Sequence, residues 1–336
     1  MAQRLMEVVF SSKNKEKLDD LLEDKKILGY WTQDLAENRM VARILVSVEA
    51  TEQISDHLAE RFMADDAFRM MLFSVEATVP KPEEEESQPE EEAAEQAEDE
   101  APVHSMRISR DELYSDVNEH ARLGPVYLST VVLSVIVAAI GLLKGDVAVV
   151  IGAMVIAPLL GPNVALSLAV TLGDLDLGRR ALKVNVLGLL IALGVSFAIG
   201  WIFGVNPEID QIANRTVVNF GDVILALAAG SAGVLAFTRG VPAGVIGVMV
   251  AVALLPPLVV SGLLAGAGYW GLATGAILLT ITNVCGLNLS GVMTFLVQGV
   301  RPRHWWEAKQ AKQASRNAII FWLILLAVFT AIIFLR

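Results

Sequence analysis

Cysteine occurs once, at Cys285, which excludes a disulfide framework and a thiolate metal cage. The four histidines, His57, His104, His120 and His304, stand far apart and show no metal-ligand spacing. A nucleophile elbow and a phosphate-binding loop are both missing, so no catalytic set can be assembled and an enzyme is not expected. The first 25 residues alternate charged and apolar side chains, without an uninterrupted apolar core or a small-residue cleavage site, so no signal peptide is expected. Charge itself is thin, at 19% of 336 residues, and past Leu123 long stretches carry almost none.

What is abundant is apolar surface, 54% of the chain. Several of the uncharged stretches reach the ~18 residues needed to cross ~30 Å of hydrocarbon, which points to an integral membrane protein. The acidity is local. Between Lys81 and Glu100 eleven Asp and Glu face one Lys, a net of −10 against −11 for the whole chain, so the remainder carries −1. Residues 81–103 have no large apolar side chain before Val103 and are expected to be a disordered acidic tether.

Residues 1–80 read as a soluble domain on the cytosolic side. Alternation places Met6, Val8 and Phe10 on one strand face, then Met40, Ala42, Ile44, Val46 and Val48, then Met71, Phe73, Val75, Ala77 and Val79, with a weaker strand over residues 29–35. Leu18, Leu21 and Leu22 mark one helix, and Ile54, Leu58 and Phe62 mark another starting near Thr51. With Asn38 in the turn of the central hairpin, the order is βαββαβ, an α+β ferredoxin-like sandwich. Residues 104–124 are expected to form an interfacial helix, with Leu113 and Val117 on one face and Arg107, Arg110 and Arg122 around it.

Seven spans are expected: 126–143, 147–172, 181–203, 223–237, 241–267, 271–297 and 318–335. With the N-terminus in the cytoplasm, twelve Lys and Arg of the short flanking loops lie inside, leaving Lys144, Arg215 and Arg336 outside. That places the chain in the inner (plasma) membrane with an extracytoplasmic C-terminus. Trp305 and Trp306 would anchor the basic loop that opens residues 299–336, ahead of the last helix.

The chain also matches itself. Val150-Ile-Gly-Ala-Met-Val-Ile-Ala-Pro-Leu-Leu-Gly-Pro162 and Val245-Ile-Gly-Val-Met-Val-Ala-Val-Ala-Leu-Leu-Pro-Pro257 share eight of thirteen positions at an offset of 95. Asn185-Val-Leu-Gly-Leu189 returns as Asn283-Val-Cys-Gly-Leu287 at an offset of 98. Residues 125–205 and 220–298 therefore form two units of three spans each. Because three is odd, the second unit enters the membrane from the opposite side, giving an inverted repeat of the kind found in transporters.

Each unit's middle helix carries two prolines, Pro158 and Pro162 or Pro256 and Pro257, and each proline removes an amide donor. A break is expected at both places, and freed backbone at that depth must be buried in protein or line a wet cavity. The candidate substrate site is therefore Ala157, Pro158, Gly161, Pro162 and Asn163 in one unit and Leu255, Pro256 and Pro257 in the other, flanked by Asn185 and Asn283. The asparagines are read either as ligands or as interhelical hydrogen-bonding groups. Gly152, Gly161, Gly188, Gly247 and Gly286 suit close helix contact, while Asp146, Asp174 and Asp222 fall at span ends.

The segment Gly152-Ala-Met-Val-Ile-Ala-Pro-Leu-Leu-Gly-Pro162, the approach Ile108-Ser-Arg-Asp-Glu-Leu-Tyr114 and Leu254-Leu-Pro-Pro257 resemble a prokaryotic family of hydrophobic membrane proteins catalogued as domain of unknown function 389. The resemblance covers roughly residues 105–300; it implies a membrane location, says nothing about substrate and supplies no catalytic residues. Ala157 stands where many members of that family carry serine, which removes a hydroxyl from the set.

The expected architecture is thus an α-helical polytopic membrane protein of about seven spans, with two inverted three-helix repeats behind an N-terminal ferredoxin-like domain. The expected function is transport, as carrier or channel, of a small polar or anionic solute. The alternative is a non-transporting sensor or scaffold whose soluble domain binds a ligand or partner. Expected partners are the lipid bilayer, further copies of the chain in a homo-oligomer and an unidentified small solute, with no nucleic acid, metal or cofactor.

Overall fold

A computed structural model describes residues 3–23, 27–75, 108–239, 243–302 and 305–334. The acidic tether, 81–103, lies outside the described residues. The chain forms two compact units, Met1–Leu113 and Tyr114–Arg336, and the division falls inside helix α3 (Arg110–His120).

The first unit is built from β1 (Gln3–Ser11), α1 (Lys15–Glu23), β2 (Gly29–Leu35), β3 (Arg39–Ser47), α2 (Val48–Phe62) and β4 (Arg69–Val75), followed by the first turn of α3. Its sheet has the order β2-β3-β1-β4 with every neighbouring pair antiparallel, so β3 lies between β1 and β2, and β1 lies between β3 and β4. The β2–β3 hairpin turns through Glu37 and Asn38, both at positive φ (63° and 58°), the region that Asn tolerates best after Gly.

The inward alternation of β1 and β3 holds: Met6, Val8, Phe10, Met40, Ala42, Ile44 and Val46 pack with Leu18, Leu22, Ile54, Leu58 and Phe62. Three details differ from the sequence reading. Val48 opens α2 rather than extending β3, because Ser47 adopts extended backbone and its hydroxyl caps the helix by accepting from the Ala50 amide at 3.3 Å. On β4 the inward residues are Met70 and Leu72, while Met71 and Phe73 are 40% and 47% exposed on the other face. The unit also extends beyond residue 80, since Arg110 donates to Asp56 at 2.7 Å and Arg4 pairs with Glu112 through two bonds of 3.1 and 2.9 Å.

The second unit continues from α3 through α4 (Pro125–Lys144), α5 (Val147–Ile156), α6 (Leu160–Leu172), α7 (Leu175–Phe203), the short α8 (Asp210–Ala213), α9 (Phe220–Thr238), α10 (Ala243–Gly266), α11 (Trp270–Val297) and α12 (Trp305–Phe334). Of the described helices, α4, α7, α9 and α11 are each long and apolar enough to cross a membrane, and α5 with α6 makes a fifth candidate bent by 52°. Large apolar side chains such as Leu190, Phe197, Trp201, Ile224 and Ile151 are exposed on these helices, as a hydrocarbon solvent requires.

The aspartates at span ends are helix caps. Asp146 accepts from the Ala148 and Val149 amides, Asp174 accepts from Asp176 and Leu177, and Asp222 closes a capping box with Asn219. Asp174 also accepts from the Tyr114 hydroxyl at 2.7 Å, fixing α3 against the start of α7.

Candidate functional site

The two proline pairs behave differently, and the difference is local chemistry. A residue before proline is driven out of the helical region, and Ala157 accordingly sits at φ −67°, ψ 120°, ending α5. Pro158 and Leu159 form the connecting turn, and α6 starts at Leu160. Pro162 therefore falls in the first turn of α6, where amides have no intrahelical acceptor, so it costs α6 no bond. The break is created by Pro158, and Pro162 tolerates it.

At Pro256 and Pro257 the expected break does not occur. Helix α10 runs from Ala243 to Gly266 with Pro256 and Pro257 inside it. Pro257 deprives the Ala253 carbonyl, four residues earlier, of its helical donor. That carbonyl instead accepts from Asn283 Nδ2 on α11 at 2.6 Å. A side-chain amide thus replaces the missing backbone amide and lets the helix pass through the proline pair.

The bend between α5 and α6 is buried. Ala157, Leu159 and Leu160 are between 2% and 5% exposed, and Asn163 is 1% exposed. Asn163 Nδ2 donates to the Leu159 carbonyl at 2.8 Å. Its Oδ1 accepts from Asn185 Nδ2 on α7 at 2.8 Å and from Asn288 Nδ2 on α11 at 3.0 Å. Asn288 Nδ2 also reaches the Val284 carbonyl at 2.8 Å, and the Ser167 hydroxyl reaches Asn288 at 3.4 Å. One amide on the first turn of α6 therefore ties three helices together without any charge.

Of the residues singled out in sequence, Asn163 and Asn185 meet directly, beside Ala157, Pro158, Gly161 and Pro162 on the same turn of chain. Leu255, Pro256, Pro257 and Asn283 are buried around α10, and Asn283 bonds to α10 rather than to the Asn163 cluster. Asn288 and Ser167 escaped the sequence reading; a second amide five residues beyond Asn283, in an uncharged span, was the available signal for the first. Among the small residues, a methyl group at Gly161 would lie 2.6 Å from His120 Cβ, and one at Gly286 2.8 Å from Ala226 Cβ, so both sit at close helix contacts. A methyl group at Gly152 would have nothing within 4 Å among the described residues.

The class these features define is a polytopic helical protein with membrane-like apolar spans, carrying an N-terminal unit built on a four-stranded antiparallel sheet. Within that class the chain belongs to the family described as "Domain of unknown function (DUF389)", whose model matches residues 154–289. It is similar to the "Uncharacterized protein MJ0678" of Methanocaldococcus jannaschii, 36% identical over 293 residues that cover 87% of each chain. No solved structure matches.

Proposed function

We propose that the protein is a membrane transport protein, carrier or channel, for a small polar or anionic solute. The observation that carries this reading is the buried 52° bend at Ala157–Leu159, with the first turn of α6 beginning inside the helical unit beside Asn163, Asn185 and Asn288. A helix start presents unpaired amide donors and the positive end of its dipole, which favours anions and polar acceptors. No Asp, Glu, Lys or Arg occurs between Val147 and Leu172, so selectivity would rest on dipoles and amides.

The inverted-repeat reading draws support from how the helices pack. Contacts of α7 with α10 are mirrored by α11 with α6, those of α4 with α5 by α9 with α10, and those of α4 with α7 by α9 with α11. The correspondence reaches single residues. A methyl group at Gly291 would lie 2.6 Å from Ser167 Oγ, and one at Gly262 2.9 Å from the Leu193 carbonyl; exchanging the units at their offsets carries one pair onto the other. With three spans per unit and α12 as a seventh, the distribution of Lys and Arg supports a cytoplasmic N-terminus. The interleaved strand order of the first unit fits a ferredoxin-like domain acting in regulation or oligomerisation.

A second reading, a non-transporting sensor or scaffold, draws on one specific feature: Asn163 is satisfied by protein groups at both ends of its amide. Proteoliposome swelling against a panel of small neutral and anionic solutes, with melting of the same samples, separates the two. Transport predicts flux for at least one solute, reduced in Pro158→Ala without loss of assembly and reduced more sharply in Asn163→Leu. Pro162→Ala should act least, since that position removes no helical bond. Flux that stays intact in Pro158→Ala and Asn163→Leu, or is absent for every solute, refutes transport through this bend.

A further inference from the structure

Two consecutive residues of α11 hold buried oxygens with no hydrogen-bond partner among the described residues: Thr282 Oγ1 and Asn283 Oδ1, on residues 0% and 4% exposed. Their neighbours behave otherwise. Thr280 donates to the Ala276 carbonyl at 2.9 Å and Thr294 to the Ser290 carbonyl at 2.7 Å, the usual outlet for a hydroxyl on a helix. Buried polar atoms are almost always paired, so two in succession on the most buried of the apolar spans call for a ligand.

The Asn283 side chain is oriented by the bond from Nδ2 to the Ala253 carbonyl at 2.6 Å, which holds Oδ1 beside α10. One residue earlier on α10 is Val252, whose carbonyl has lost its helical donor because residue 256 is proline. Helix α10 carries no polar side chain between Ala243 and Val260, so its side chains offer these oxygens no donor. The unpaired oxygens of this stretch are acceptors or can act as one: the Asn283 amide oxygen, the Val252 carbonyl freed by Pro256 and the Thr282 hydroxyl.

We infer that Asn283 Oδ1, the Val252 carbonyl and the adjacent Thr282 hydroxyl form a site for a monovalent alkali cation; the cation's part as coupling ion rests on the transport reading above. Uncharged oxygens suit a hard cation, and the amide oxygen and the carbonyl have no proton to offer an anion. A divalent ion is disfavoured because it draws on carboxylates, and neither α10 nor α11 contains Asp or Glu. Backbone carbonyls without a helical donor hold such ions in transporters of inverted-repeat design, and in α10 proline frees one without breaking the helix.

The test is equilibrium binding of radioactive sodium to the purified full-length protein in nanodiscs, in choline chloride buffer. Saturable binding is expected, displaced by unlabelled sodium or potassium and not by magnesium at the same concentration. Asn283→Leu should abolish it. Pro256→Ala gives the Val252 carbonyl an amide donor, so it should weaken sodium binding about tenfold or more while the melting temperature holds or rises. That variant separates a lost ligand from a lost fold. Absence of saturable binding, displacement by magnesium, or unchanged affinity in either variant overturns the site. Since no transported solute enters this assay, its failure leaves the flux experiment untouched, and a flux failure with sodium binding intact strikes the transport reading alone.

Discussion

The bond from Asn283 to the Ala253 carbonyl makes a quantitative prediction, because it stands in for an amide that Pro257 cannot supply. Asn283→Leu keeps the side-chain volume near the original but leaves a buried carbonyl unpaired. Such a loss costs ~1–3 kcal/mol in water-soluble proteins, while interhelical hydrogen bonds in membranes average ~0.6 and reach ~1.7 kcal/mol. At 2.6 Å, to a carbonyl with no competing helical donor, the upper end applies, but the substitution also removes the unpaired Oδ1, so the expected cost is ~1 kcal/mol. Pro257→Ala returns the amide of residue 257 to the Ala253 carbonyl, closing the helical bond from within. In that background Asn283→Leu should cost nothing, leaving a coupling energy of ~1 kcal/mol between residues 26 positions apart. The assay is reversible unfolding of the four proteins in mixed micelles, in sodium-free buffer so that ion binding does not contribute. Additive effects, or no cost of Asn283→Leu in the wild-type background, would refute the idea that this side chain carries α10 through its prolines.

Other consequences can be checked independently. Burial alone would raise the Asp65 carboxyl, but the Ser11 and Ala67 amides, the Asn14 side chain and the Lys17 charge outweigh it and hold it below its ordinary value. Its stabilisation is therefore complete above the unfolded-state pKa of ~3.9 and lost as pH falls through the lower folded value; Asp65→Asn should lower the melting temperature of the first unit at pH ~7, and the gap to wild type should close in acid. A fragment of residues 1–113 should be more stable than one of 1–80 by ~1–2 kcal/mol in urea melts, because it keeps the Arg110–Asp56 and Arg4–Glu112 pairs; equal stabilities would show those pairs to be idle. Reporter fusions after Arg180 and Arg303 should be cytoplasmic and one near Glu208 external; a cytoplasmic Glu208 would remove the inverted repeat.

The legibility of this chain varies with the range of the interactions involved. Apolar runs gave away the membrane-like helices, and alternation gave the strands β1 and β3, since both depend on residues a few positions apart. The break at Ala157 was readable for the same reason: the steric effect of Pro158 acts on its immediate neighbour. On β4 the pattern Arg-Met-Met-Leu-Phe-Ser-Val is apolar on both faces, so only the packed helices select Met70 and Leu72 for the core. Asn163 and Asn185 were visible as amides in uncharged spans, but that they share one oxygen with Asn288 depends on a bond across 125 positions of sequence.

The sequence alone, then, determined the element order of the first unit, the apolar helices and the bend after α5, because periodicity, length and proline sterics are local and no distant contact reverses them. Tertiary structure decided that α10 stays whole across two prolines, that Asn283 serves α10 while Asn163, Asn185 and Asn288 converge at α6, and which face of β4 is buried. Each of those outcomes turns on a donor or a packing surface supplied by a distant segment, and a buried polar group takes whichever partner the fold brings within reach.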